Sequence, residues 1–133
     1  MNNEESSSSR QRCRHVPAHI SEVQDFLTSM VGGAPTFVSS DPSFHDRTLE
    51  TEFHDVSAGL ALVRDKIGES RYAASMAILA EARMLFLADQ EDENGKTFKG
   101  CMLLWDVDAI LEEARNERFA AGILDIDGRL TGD

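Results

Sequence analysis

The sequence predicts a mainly α-helical domain built on an antiparallel helical hairpin, residues 47–67 and 70–88, with helices over 21–31 and 107–121 packed on it. Two patterns and one piece of punctuation lead there. Leu49, Phe53, Val56, Leu60, Val63 and Ile67 recur at alternating steps of four and three, the spacing of an apolar seam along one helix face. Residues 71–88 are rich in alanine, leucine and methionine, which are strong helix formers. Between the two runs stands only Gly68-Glu69-Ser70, a connection so short that the second helix must fold back along the first. An alternative α+β arrangement places a small β-hairpin at about 83–105, because Asn94-Gly95 between apolar runs is a strong two-residue hairpin signal.

The chain has 133 residues, 41% hydrophobic and 28% charged, which suits one ordinary domain. A two-domain enzyme, a barrel or a full dinucleotide-binding sheet would need roughly twice that length. Residues 1–17 contain four consecutive serines and three arginines with almost nothing apolar, so they are expected to form a disordered tail. The single helical domain is expected over 18–122, and residues 123–133 as a C-terminal tail.

Taken in order, the first helix carries Ile20, Val23, Leu27 and Met30 on one face, with Ser21 as N-cap, Gln24 completing a capping box and Gly32-Gly33-Ala34-Pro35 as its stop. Residues 34–47 have no period and contain two prolines, so they read as a long connection, pinned to the core by Phe37 and Phe44. The seam helix follows, closed by Gly68 in a left-handed cap, and Ser70 can cap the next helix. That helix is apolar nearly all round, interrupted by Arg71, Glu81 and Arg83, so it must be central or meet a second chain; its alanines would let helix axes approach closely. Residues 97–105 (TFKGCMLLW) read as extended or loop. Asp106 then caps a last helix with Val107, Ile110, Leu111 and Ala114 inward and Glu112, Glu113, Arg115 and Glu117 toward water, and Gly122 closes it.

Charge narrows the partners. With 24 Asp and Glu against 13 Lys and Arg, the formal net charge is -11. By segment it is +1 over 1–20, -6 over 21–60, zero over 61–90 and -6 over 91–133. An acidic chain with no basic stripe is repelled by nucleic acid and by anionic membranes, so direct binding to either is not expected, whereas a basic protein partner is favoured. The two cysteines, Cys13 and Cys101, and a start without an apolar leader suggest a cytoplasmic protein, with Cys101 a small buried hydrophobe.

No catalytic or metal-binding pattern stands out. Cys13, His15 and His19 lie where fixed geometry is hardest to hold, and a structural zinc site wants four ligands. Aligning Gly95 with the glycine of a calcium loop puts Gln90 and Cys101 at essential ligand positions. His45 and His54 have carboxylates nearby in sequence, yet spacing alone does not bring them together. No cofactor is therefore expected. The residues singled out for binding are Arg71, Tyr72, Met76 and Arg83 on the Ala-rich helix, with His54 on the seam helix. Arg83 shares a stripe with Tyr72, Met76 and Leu79, and arginine beside an aromatic is either a salt bridge to the neighbouring helix or an interface anchor.

The functional expectation is a small acidic non-catalytic interaction protein, of the inhibitor, immunity-factor or chaperone type, that binds a basic protein partner or its own copy as a homodimer. The alternative is a small-ligand sensor or small enzyme with a pocket between the helical hairpin and the 34–47 loop.

Overall fold

A computed structural model describes residues 16–38 and 47–122, and these are helical with no strand among them. Five helices follow in order: α1 (Ile20–Gly33), α2 (Leu49–Leu62), the single turn α3 (Arg64–Ile67), α4 (Glu69–Leu87) and α5 (Lys96–Ala120). The mainly α reading holds and the α+β alternative does not. Asn94-Gly95 does turn the chain, but between two helices: Gly95 takes a left-handed conformation (φ 83°) and α5 starts at the next residue.

The seam is the spine of the core. Leu49, Phe53, Val56, Leu60, Val63 and Ile67 are all buried, facing Ile20, Val23, Leu27 and Met30 of α1. A capping box starts α2, formed by Thr48 and Thr51: the Thr51 N–H donates to Thr48 Oγ1 at 3.2 Å and the Thr48 N–H to Thr51 Oγ1 at 2.9 Å. The expected unbroken helix over 47–67 is interrupted at Val63 (φ -101°, ψ 8°), where the ladder re-forms as α3 without moving Val63 or Ile67 off the buried face. Gly68 closes it at φ 92°. Because Gly68 is itself the N-cap, α4 starts at Glu69 and Ser70 lies inside the helix rather than capping it.

Two further caps differ from expectation. The N-cap of α1 is His19, and Ala18 N–H donates to Glu22 Oε1 at 2.8 Å. Gln24 is turned outward to α5 instead of completing a box: its amide donates to Glu112 Oε1 at 3.0 Å and accepts from Arg115 Nη1 at 3.2 Å. At α5, residues 97–105 are helix, and Asp106 sits exposed in its middle instead of at its start. Gly122 (φ 77°) follows its end.

The most extensive packing is between α4 and α5, an antiparallel hairpin that adds to the predicted one. Small residues admit it, but not the alanines: of the five in α4, only Ala82 is in the core and Ala73, Ala74, Ala77 and Ala80 are exposed. The close approach is at Gly100 of α5, where a Cβ would lie 2.6 Å from the Phe86 ring. Phe86 is fully buried and meets Phe37 edge-on, centroids 5.4 Å apart, with Phe53 6.0 Å away. Phe37 therefore does pin the start of the 34–47 connection; Phe44 lies outside the described residues. At the other end of the core, Pro17 is buried against Gly59, where a Cβ would come within 2.5 Å of its ring. Of the expected tails, 1–17 and 123–133, residues 1–15 and 123–133 lie outside the described residues, while Pro17 is packed on the core rather than part of a loose tail.

Asp89 organises the turn between α4 and α5. Its Oδ1 accepts the Glu93 N–H at 2.8 Å and the Asn94 N–H at 3.2 Å, its Oδ2 accepts the Thr97 N–H at 2.9 Å, and Thr97 Oγ1 donates back to the Asp89 carbonyl at 3.2 Å. Burial alone would raise this carboxyl, but the hydrogen bonds from Thr97, Glu93 and Asn94 outweigh it and hold the pKa at about 2. Since an unfolded aspartate titrates near about 3.9, the ionised form favours the fold, and its contribution is complete above that value and lost as the pH falls from about 4 to about 2. Asp89→Ala is expected to lower the Tm by several degrees at neutral pH. The gap between parent and variant should then close between about pH 4 and pH 2 in parallel melts; a gap that stays constant would show that the carboxylate is not the source.

Candidate functional site

The sequence-selected residues are not gathered into one site. Arg71 projects from the start of α4 to α5, donating to Glu113 Oε1 at 3.2 Å and Glu117 Oε2 at 2.6 Å, and these carboxylates, Glu117 foremost, raise its pKa further. Arg83 leaves the opposite flank and pairs with Glu50 of α2 at 2.6 Å, the inter-helix salt bridge that its stripe allowed. Tyr72 lies under the Arg64 guanidinium, 4.5 Å from ring centroid to Cζ, while Arg64 pairs with Glu69. Met76 is half-buried against the core, and His54 is exposed on α2. Arg71 and Arg83 thus tie α4 to its two neighbours. His45 and most of the 34–47 loop, which would wall the alternative pocket, lie outside the described residues. Among the described residues, no group of three or more His, Cys, Asp or Glu is placed to hold a metal ion, and no helix is long and apolar enough to cross a membrane.

The surface that stands out is on α5 and the end of α4. Gly100 is turned to the core, so with 3.6 residues per turn Phe98 and Met102, two positions on either side of it, are turned away. Trp105 and Ala109 continue the same line at i+7 and i+11 from Phe98. Phe98 is 69% exposed, Met102 48% and Trp105 39%. The register set by Phe86 against Gly100 brings Met84 of α4 (62% exposed) level with Met102, whereas Leu87 (43%), one turn on from Arg83, lies on the α2 flank of α4. Val38, Leu62 and Phe119 are also exposed but stand singly on other parts of the chain.

From full side-chain areas near 150–250 Å², Phe98, Met102, Trp105 and Met84 leave roughly 450 Å² of apolar surface in water, a patch size that on a monomer is commonly an interaction site. Cys101 flanks the stripe half-buried, and burial pushes its thiol up, away from thiolate reactivity. It is not the buried hydrophobe expected. The Asn94-Gly95 hairpin signal and the loop reading of 97–105 mask the stripe in the sequence. The signal that could have found it is the spacing of Phe98, Met102, Trp105 and Ala109.

Compared with protein families, curated proteins and solved structures, the chain matches none.

Proposed function

We propose that this chain is a small non-catalytic interaction protein, of the inhibitor, immunity-factor or chaperone type, acting by binding a basic protein or a second copy of itself. The observation that carries the reading is the apolar stripe Phe98, Met102 and Trp105 on α5, with Met84 of α4 level with it, all outside the buried core. Four large apolar side chains kept in water cost solubility, and burial against a partner removes that cost. The net charge of -11 inclines the choice of partner toward the basic.

The test compares the parent with a Phe98→Glu, Met102→Glu double variant. Coupled to a column, the parent is expected to retain at least one protein from the native cell that the variant releases. Sedimentation equilibrium covers the self-binding case, with a mass of about 29 kDa, twice the 14.7 kDa of the chain, for the parent and 14.7 kDa for the variant. Identical retention on both columns, together with a strict 14.7 kDa parent, would overturn the reading.

A further inference from the structure

Around the apolar stripe the charge is one-sided. Asp106 follows Met102 by one helical turn and Glu81 precedes Met84 by three residues, both exposed. The turn between the helices, at the same end as Phe98 and Leu87, exposes Glu91, Asp92 and Glu93. Against these five carboxylates stand Lys96 and Lys99. None of Glu81, Glu91 and Asp106 is engaged in an ion pair among the described residues, whereas the acids farther along α5, Glu113 and Glu117, already hold Arg71.

Resting on the interaction-protein reading, we infer that the occupant of this face is an amphipathic helix with large apolar side chains at i, i+3 or i+4 and i+7 and with lysine or arginine on its flanks. The dimensions fit: Phe98, Met102 and Trp105 stand at i, i+4 and i+7 and span about 10.5 Å, two helical turns, which is the reach of three such anchors. So does the chemistry. Met84 and Met102 are unbranched and can re-pack around anchors of different shape, and Glu81 and Asp106 along the α4 side of the stripe, with Glu91, Asp92 and Glu93 at its end, supply the incoming helix with opposite charge.

A second copy fits less well. Two such faces would together bury roughly 900 Å², under the lower limit of about 1,000 Å² for a specific protein interface. Pairing them would also bring one acidic border against a second border of the same sign.

Trp105 is the only tryptophan of the chain and lies within the face, so its fluorescence reads occupancy directly. The probe is a tryptophan-free synthetic peptide of leucine and lysine, about 18 residues, with leucines at helical spacing; a scrambled peptide of the same composition and a leucine–glutamate peptide of the same pattern are the controls. The leucine–lysine peptide is expected to shift Trp105 emission to the blue and saturate, and neither control should. Phe98→Ser should weaken binding about tenfold or more. Glu81→Lys with Asp106→Lys, and separately a rise in salt from about 50 to about 500 mM, should each weaken it by about tenfold. Circular dichroism melts verify that these exposed-site variants remain folded.

Absence of a shift, or equal binding of the scrambled or glutamate peptide, would overturn the inference. If the peptide fails but Trp105 shifts blue with the protein's own concentration and the mass doubles, a second copy covers the face; the partner class is then wrong and the interaction reading stands. If the peptide fails, the mass does not double and the column retains nothing specific, both fall.

Discussion

Phe86→Ala is expected to destabilise the chain by about 3–5 kcal/mol, a large part of what a domain of this size has. Phe86 is fully buried where α2, α4, α5 and the Phe37 turn converge, and its ring meets Phe37 and Phe53. Truncation removes that burial and leaves a cavity under Gly100 that the helix backbones cannot collapse to fill. The companion is Gly100→Ala. In the parent its Cβ would lie 2.6 Å from Cε1 and 2.8 Å from Cζ of the Phe86 ring, so the α4–α5 hairpin must open. The expected loss is about 1–3 kcal/mol, even though alanine is the better helix former by about 1 kcal/mol.

With Phe86→Leu in place the clash is relieved, and Gly100→Ala should become neutral or stabilising. A double-mutant cycle followed by urea denaturation measures this coupling. Additive effects would show that the ring does not sit on Gly100.

The second large effect is at the middle of the seam. Leu60 is fully inaccessible, and Leu60→Ala should cost about 2–5 kcal/mol, with the spread set by how far α1 and α2 can close on the vacated space. One residue away, Gly59 holds Pro17, which limits that closure and places the expected loss in the upper part of the range. Thermal and urea melts should show a lower midpoint with an unchanged m-value. A variant that melts like the parent would show that Leu60 does not face the core. Leu62, two residues on and exposed, is the control: Leu62→Ala should change stability by no more than about 0.5 kcal/mol.

What the sequence determined by itself are the features written in local periodicity. The alternation of threes and fours from Leu49 to Ile67, and the Ile20 to Met30 face, can be satisfied only by helices that bury those residues, and the structure buries all of them. Gly68 and Gly122 end their helices where expected, because positive φ suits glycine whatever the surroundings, although Gly68 at ψ 156° is extended rather than the left-handed cap expected. The net acidity of the chain was equally legible, since charge is additive along a chain.

Tertiary structure decided the rest. Gly100 and Asn94-Gly95 are breakers by local preference, but a glycine costs a helix only about 1 kcal/mol, and seating the Phe86 ring against it outweighs that. The whole first third of α5, and with it Phe98, Met102 and Trp105, was hidden behind that inversion. The caps moved for a similar reason: Gln24 reaches Glu112 and Arg115 across 88 and 91 residues of chain, partners that no local pattern announces. Which apolar side chains of α4 and α5 are core and which are surface was also beyond reach. Both helices are greasy on several sides, and only the placement of α1 and α2 against them determines that Phe86 is enclosed while Met84, two residues before it, faces water.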